Sequence, residues 1–238
     1  MEHQFDPKDK KILLVSAHPD DADFFAGGTI YSWIAQGAKA AIVIATNGDK
    51  GTSDRNITSV DLADTRHQEQ LEASQVLGIE KTWFLDYPDA HLEVTQELKE
   101  KLVRIIREYK PDAVFTFDPT MIYAKNINYI NHPDHVAIGQ ATLHSLFPMA
   151  RDFLIFPEHS KAGLEPHNVT DVFLYNNEIA DYYIDISSYF EKKLALLGVH
   201  KSQFDVGEMR EMLHKVNGYW GEKMEVSYAE AFIHLKVR

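Results

Sequence analysis

The chain of 238 residues is 45% hydrophobic and carries 36 acids against 24 bases, a formal charge of −12. Such a length buries the core of one α/β domain spanning 1–238, and the acidic balance excludes broad binding to nucleic acid or anionic membrane, because phosphate neutralisation needs clustered Lys and Arg. With no cysteine present, disulfides, thiolate ligands and a Cys nucleophile are excluded, leaving imidazole and carboxylate as the strong metal ligands.

The first residues, Met1 to Lys8, lack the basic region and apolar core of a signal peptide, and no later apolar run approaches membrane-spanning length, so a cytoplasmic location is the default expectation. Ile12-Leu13-Leu14-Val15 reads as a buried strand that ends in the polar turn Ser16-Ala17-His18-Pro19-Asp20-Asp21-Ala22-Asp23. Helical spacing of Phe25, Ile30, Trp33 and Ile34 predicts a helix over 24–36, stopped by Gly37. A second buried strand lies within 38–46, a loop follows over 47–54, and a helix over 60–77 closes at Gly78, with Arg66 and Glu69 one turn apart on one face.

A third strand over 82–85 runs into Asp86-Tyr87-Pro88-Asp89, and the strongly amphipathic stretch 95–109 predicts a helix ended by Pro111. The fourth strand, 113–117, leads through a polar, aromatic loop over 118–131 into His132-Pro133-Asp134-His135, where Pro133 suits the first position of a helix reaching about 146. Residues 147–170 read as a long loop, 172–175 and 182–186 as strands, 188–199 and 206–222 as helices, and 228–237 as an edge strand. Strands alternating with helices imply an α/β fold with a mostly parallel central sheet and helices on both faces.

The chemistry lies in the two histidine-bearing clusters. If the first and fourth strands are neighbours, both clusters sit at the carboxyl edge of the sheet, at a topological switch point. His18 and Asp21 then offer two metal ligands and His135 a third, which leaves a coordination position open for water. That is the arrangement of a hydrolytic Zn²⁺ site, although Fe²⁺ or Mn²⁺ also accepts these ligands. Asp20, whose side chain points away from that of its neighbour Asp21, is a candidate general base. His132 is placed to present a protonated imidazole to an oxyanion, with Asp134 orienting it and holding its charge. The leaving amine takes its proton from Asp20 or His132. Each cluster alone also fits a capped turn or a helix N-terminus; two of them after buried strands point to a metal. Asp23 reads as a solvated or capping carboxylate.

These residues resemble the LmbE-like, or PIG-L, family of metal-dependent de-N-acetylases, which act on N-acetylglucosamine-type substrates. His18 to Asp21 matches the family's first motif and His132 to His135 a looser form of its second. Gly27-Gly28, Arg66-His67-Gln68-Glu69, Leu85 to Asp89, Phe117-Asp118-Pro119 and His200-Lys201-Ser202-Gln203 resemble further family segments in the same order. The resemblance implies a Rossmann-like sheet, Zn²⁺ at His18, Asp21 and His135, a base at Asp20 and an oxyanion-stabilising imidazole at His132. It also implies substrate contact by Arg66 and sugar-hydroxyl contact by Asp89, and self-association into trimers or hexamers. On local grounds Arg66 equally suits an ion pair with Glu69 or Asp89, and Asp89 a turn after Pro88. Tyr123 and Tyr129 suit core packing, and His200 suits a structural helix end; the role of the 120–130 loop stays open.

The expectation is therefore Zn²⁺-dependent release of acetate from a small N-acetylated amino sugar or its conjugate. Two alternatives remain at this stage. A metal-dependent hydratase of an unsaturated oxo-acid would want several cations, of which Arg66 is the obvious one. A non-catalytic Rossmann-like binding module would want a glycine-rich turn directly after the first strand, where Gly27-Gly28 comes too late.

Overall fold

The computed structural model describes residues 4–125, 128–176 and 178–237; the part of the 118–131 loop at 126 and 127, and the first three residues, lie outside the described residues. In chain order the elements are β1 (Lys11–Ser16), α1 (Asp21–Ala35), β2 (Lys39–Thr46), α2 (Ser59–Leu77), β3 (Lys81–Tyr87), α3 (Gln96–Tyr109), β4 (Ala113–Phe117), β5 (Tyr123–Ala124), β6 (Tyr129–Ile130), α4 (Pro133–His144), α5 (Glu158–Lys161), β7 (Asp171–Tyr175), β8 (Tyr182–Asp185), α6 (Phe190–Leu197), α7 (Val206–Met224) and β9 (Ala229–Lys236).

One sheet runs β3-β2-β1-β4-β7-β9-β8, parallel from β3 to β7, with β9 antiparallel to both of its neighbours. The continuous apolar character of β1, β2, β4 and β7 follows from this position, since a central parallel strand is covered on both faces. From β1 the chain steps one way to β2 and β3, then reverses to β4 and β7. Right-handed crossovers place α1 and α2 on one face and α3 and α4 on the other. The loops after β1 and β4 therefore diverge, and a crevice opens between them at the carboxyl edge.

Local chemistry fixes the helix ends. Thr58 caps α2 by accepting a hydrogen bond from the Asp61 N–H at 3.2 Å, and Thr95 caps α3 in the same way through Leu98 at 3.1 Å. Gly139 of α4 lies so close to β4 that a Cβ there would stand 2.3 Å from the Phe117 carbonyl oxygen, and this close approach draws the start of α4 onto the end of the strand.

Three expectations change. The last strand is not an edge: β9 lies between β7 and β8, and β8 and β3 form the edges. The helix expected from 24 begins at Asp21, so the polar cluster itself forms its first turn. The region 147–170, expected as loop, opens on an extended Phe147, φ −141° and ψ 127°, and contains α5; the buried Arg107 guanidinium organises it by donating to the carbonyls of Met149, Ala150, Asp152, Ile155 and Phe156. Among the described residues no helix is long and apolar enough to cross a membrane.

Candidate active site

The turn after β1 places two adjacent carboxylates in different surroundings. Asp20 is the residue before the first turn of α1 and takes a left-handed backbone, φ 93° and ψ −28°. Asp21, the first helical residue, turns its carboxylate back to accept the His18 N–H at 2.7 Å. Its two oxygens lie 3.5 Å from His18 Nδ1 and 3.2 Å from His135 Nε2. The Asp20 carboxylate instead accepts from Arg66 Nη2 at 3.0 Å, while its backbone N–H donates to Gln70 Oε1 at 2.8 Å. Arg66 is held in turn by the carbonyls of Pro19 and Gly48, both at 2.9 Å. Gly48 sits at φ 64°, and a Cβ there would stand 2.7 Å from the guanidinium, so both its backbone conformation and its lack of a side chain are required.

From the β4 side, His132 caps α4 with its own ring: Nδ1 accepts the Asp134 N–H at 3.2 Å, Pro133 occupies the first helical position, and His135 follows one turn on. The preceding residue, Asn131, sets the adjacent imidazole. Its amide nitrogen donates to the Met121 carbonyl at 2.7 Å, which turns Oδ1 towards the His132 N–H and His135 Nδ1, each at 3.0 Å. An acceptor at Nδ1 requires His135 to carry its proton there, leaving an Nε2 lone pair that faces His18 Nδ1 at 3.3 Å. Phe117 stacks on the His135 ring at 3.8 Å and fixes its plane.

Two imidazole nitrogens and a carboxylate thus converge on one buried point, and His18, Asp21 and His135 offer ligand atoms all within 4.8 Å of one another. Burial alone would lower the His18 pKa, but the charge of Asp21 and the Asp134, Asp21 and Asp89 carboxylates hold it well above the usual histidine value. Burial would likewise raise Asp21, yet His135 and His18 hold that carboxyl far below its usual range. The cluster thus calls for positive charge at the point where the lone pairs meet. His18 Nε2 lies 3.2 Å from Asp89 Oδ1 and 3.4 Å from Asp134 Oδ2, within ion-pair distance of both but off the hydrogen-bond line to either. The charge of these two acids favours a proton on Nε2, which leaves Nδ1 free as a ligand, and carboxylates beside the far nitrogen are usual for a metal-binding histidine. The donor set fits a divalent cation.

Burial pushes the Asp20 carboxyl up, Arg66 opposes that shift, and the result stands at about 6. Asp20, Asp21 and His135 line one end of a cavity of about 1000 Å³ that continues along α7.

The model of the family described as PIG-L: GlcNAc-PI de-N-acetylase matches residues 13–146, more than half of the chain. The chain belongs to the PIG-L family. Diacetylchitobiose deacetylase of Thermococcus kodakarensis is 32% identical over 228 residues, covering 93% of this chain and 81% of that protein. The structure of N,N'-diacetylchitobiose deacetylase from Pyrococcus horikoshii, in complex with an inhibitor, superposes with a TM-score of 0.88 at 32% identity, covering 95% of this chain and 84% of that one. GalB of Pseudomonas putida, a 4-carboxy-2-hydroxymuconate hydratase, has a TM-score of 0.78 at 21% identity and covers 96% of this chain and 97% of its own, a likeness of fold alone.

Against this PIG-L frame, several expected side chains stand elsewhere than their spacing suggested. Arg66 is 4% exposed and pairs with Asp20, forming no ion pair with Glu69 or Asp89; Glu69 accepts instead from the Ser202 N–H and hydroxyl. Asp89 is neither a simple turn residue nor open to solvent. It is buried against His18, and although burial alone would raise its carboxyl, the imidazole holds it down at about 2. The Asp134 carboxylate stands 3.9 Å from His132 Nδ1, an ion-pair rather than a hydrogen-bond distance, and accepts the N–H groups of Ala90 and Leu92 at 2.8 and 3.1 Å. The backbone of Asp134 does the orienting. Burial, together with the nearby His18 charge, lowers the His132 pKa, and with Nδ1 accepting the Asp134 N–H the ring's remaining donor position is Nε2.

Asp23 is buried, not solvated, and accepts from His200 Nε2 at 2.7 Å and Gln70 at 3.3 Å. His200 is likewise buried, a structural histidine just beyond the end of α6 that holds Asp23. Tyr123 is 65% exposed on the β5-β6 hairpin and not packed in the core, while Tyr129 lines the cavity. Sequence reasoning missed Asn131 and Gln70, since neither spacing nor composition distinguishes an orienting amide from a loop or helix amide.

Proposed function

We propose that this PIG-L protein is a Zn²⁺-dependent hydrolase that removes the acetyl group from a small N-acetylated amino sugar of the N-acetylglucosamine type, or from its conjugate. The observation that carries this reading is the convergence of His18 Nδ1, His135 Nε2 and the Asp21 carboxylate on one point, with a second carboxylate, Asp20, clamped beside it. His18, Asp21 and His135 would hold the cation, and Fe²⁺ or Mn²⁺ would suit the same donors. A cation bound there supplies Lewis acidity for the amide carbonyl and makes water a better acid.

The chain's own groups carry the rest. Asp20 takes the proton of the attacking water as oxygen adds to the acyl carbon. It then returns that proton to the sugar nitrogen as the C–N bond breaks, giving acetate and the free amine. A base near neutral pH is suited to both transfers, and Arg66 fixes which oxygen faces the reaction. His132, its Nδ1 occupied by the α4 backbone, donates from Nε2 to the oxygen on which charge develops. Arg66 and Asp89 act from behind the reacting groups, the first by holding Asp20 and the second by orienting His18. An oxo-acid hydratase would need cations free to meet carboxylates, and the Arg66 guanidinium is committed to Asp20, Pro19 and Gly48.

The test is acetate release from N-acetylglucosamine and its glycosides, abolished by a chelator and restored by Zn²⁺. No release from any of them by metal-loaded protein overturns the reading.

A further inference from the structure

The cavity that begins at Asp20, Asp21 and His135 is larger than an acetylated monosaccharide requires: its volume of about 1000 Å³ stands at the upper end of the ~300–1,000 Å³ range of pockets for drug-sized ligands. Its far wall has a distinct character. Met209, Met212, Val216, Tyr219 and Trp220 recur along α7 at helical spacing and present one apolar stripe, joined in the lining by Phe24 of α1, which packs against the cluster that holds Met209. The wall continues directly from the proposed catalytic corner, so it meets whatever the reacting sugar carries rather than a separate ligand.

The stripe supplies few polar partners. A second sugar has hydroxyls around its ring, each needing a partner when taken from water. The lining as a whole also carries Asn128, Gln203, Asp205, Glu208 and Lys215, but the α7 stripe itself offers thioethers, hydrocarbon and aromatic faces. Met212 and Tyr219 are 46% and 49% exposed, a large apolar area to leave uncovered beside a catalytic corner. Methionine adapts its shape to varied apolar surfaces, and Tyr and Trp cover such groups with rigid rings. The charged residues of the lining add a second constraint. Beyond the catalytic corner Asp205 and Glu208 stand against Lys215 alone, so that part of the lining is net acidic and disfavours a phosphate or carboxylate carried on the substrate.

Resting on the deacetylase reading, we propose that the preferred substrate is an N-acetylated amino sugar bearing a neutral apolar aglycone, alkyl or aryl, which lies along the α7 stripe of Met209, Met212, Tyr219 and Trp220. The hydrophilic second sugar of diacetylchitobiose, the substrate named for two of its relatives, is the poorer occupant. The reaction that supplies such a substrate is a glycosylation of an apolar acceptor, and this enzyme then unmasks the amine.

The experiment compares kcat/KM for acetate release from N-acetylglucosamine, diacetylchitobiose, N-acetylglucosamine 1-phosphate and the methyl, butyl, octyl and phenyl N-acetylglucosaminides, both anomers of each glycoside, using the metal-loaded full chain. Each buried methylene should raise kcat/KM by roughly two- to fourfold until the stripe is covered. The phenyl glycoside should outrun diacetylchitobiose, and the phosphate should be the slowest. Met212→Asp and Tyr219→Asp, both at half-exposed positions where folding tolerates a charge, should lower the octyl-to-methyl ratio by tenfold or more. Diacetylchitobiose turned over faster than every alkyl and aryl glycoside, with no gain along the alkyl series, overturns the inference and leaves the deacetylase reading standing. A gain that follows N-acyl length instead of aglycone length also overturns it, by assigning the stripe to the acyl group. Should the two variants leave the ratio unchanged while dissociating an oligomer in sedimentation, α7 is a contact between copies and the inference falls. Turnover of no compound at all removes the deacetylase reading itself.

Discussion

Asn131 offers the sharpest test of the metal centre, because it contacts no proposed ligand atom and bears on the metal by fixing the His135 tautomer. Replacing it with Ala removes the acceptor of His135 Nδ1–H and of the His132 N–H, both at 3.0 Å, and the donor to the Met121 carbonyl at 2.7 Å. Two buried polar groups and one half-buried one lose their partner. At ~1–3 kcal/mol for each unsatisfied group, and with water able to enter the vacated space and recover part of it, the folded state should lose about 2–4 kcal/mol. The second effect is on the metal. With Nδ1 unconstrained, His135 can place its proton on Nε2 and withdraw the lone pair, and loss of such an outer-shell partner lowers metal affinity ~10–100-fold, or about 1.4–2.7 kcal/mol.

Urea unfolding of the metal-free protein measures the first effect, and competition with a chromophoric chelator for Zn²⁺ and Co²⁺ measures the second. Asn131→Asp separates them: it keeps an acceptor for His135 but turns a carboxylate towards the Met121 carbonyl, so stability should fall while metal affinity holds or rises. If Asn131→Ala loses stability as expected yet binds Zn²⁺ within twofold of the parent, His135 is not set by this contact and the proposed ligand geometry is wrong.

Asp20→Asn should retain the metal and lose at least ~10²-fold in kcat, as for a missing general base, whereas His135→Ala should lose the metal; equal metal loss in both, by elemental analysis, contradicts the separate roles. Lys193 and Glu230 form a 2.6 Å ion pair with both side chains buried, and Glu230 also accepts the N–H groups of Gly28 and Thr29. Lys193→Met should therefore cost about 3–5 kcal/mol in urea unfolding, with part of it recovered in Lys193→Met/Glu230→Gln; an unchanged midpoint would sink the account. For His200, burial alone would lower the pKa, but the hydrogen bond and charge of Asp23 raise it above the usual value. The pair's contribution is then complete below the unfolded pKa of about 6.5 and is lost as pH rises through the higher folded value. His200→Gln should cost more stability at pH 6 than at pH 9, and equal costs at both would show that the pair does not titrate as described.

The periodic elements were legible because each announces itself within a few residues: α3 through Leu98, Leu102, Ile105 and Ile106, and β1 and β4 through unbroken apolar runs. The switch point followed from these, since two motifs after buried strands meet only if the strands pair, and β1 does pair with β4. What stayed illegible depended on tertiary neighbours. A strand at the chain's end reads the same whether it lies at an edge or, like β9, between two others. Arg66 stands one turn from Glu69, and spacing alone favours that pair. The guanidinium instead reaches Asp20, a residue forty-six positions away. Asp134 adjoins two histidines, yet its carboxylate serves the backbone at Ala90 and Leu92.

The adjacency of Asp20 and Asp21 shows how one backbone angle separates two kinds of chemistry. Successive residues of a regular helix stand about 100° apart around its axis, which alone would not aim one carboxylate at the two histidines and the other at Arg66. The left-handed backbone at Asp20 ends the strand's path and starts the helix at the next residue, so Asp21 turns inward to the histidines while Asp20 turns towards Arg66. For a residue other than glycine such a conformation costs ~1–3 kcal/mol, and here the Gln70 and Arg66 contacts offset it. Glycine would adopt it freely but brings no carboxylate, so the strain belongs to the requirement for an acid at that point. It also decides which substitution is informative. Asparagine tolerates the left-handed region and keeps an oxygen for Arg66, so any turnover lost in Asp20→Asn reports the missing base. Alanine would relax the backbone and release Arg66 as well, and its loss would report all three at once.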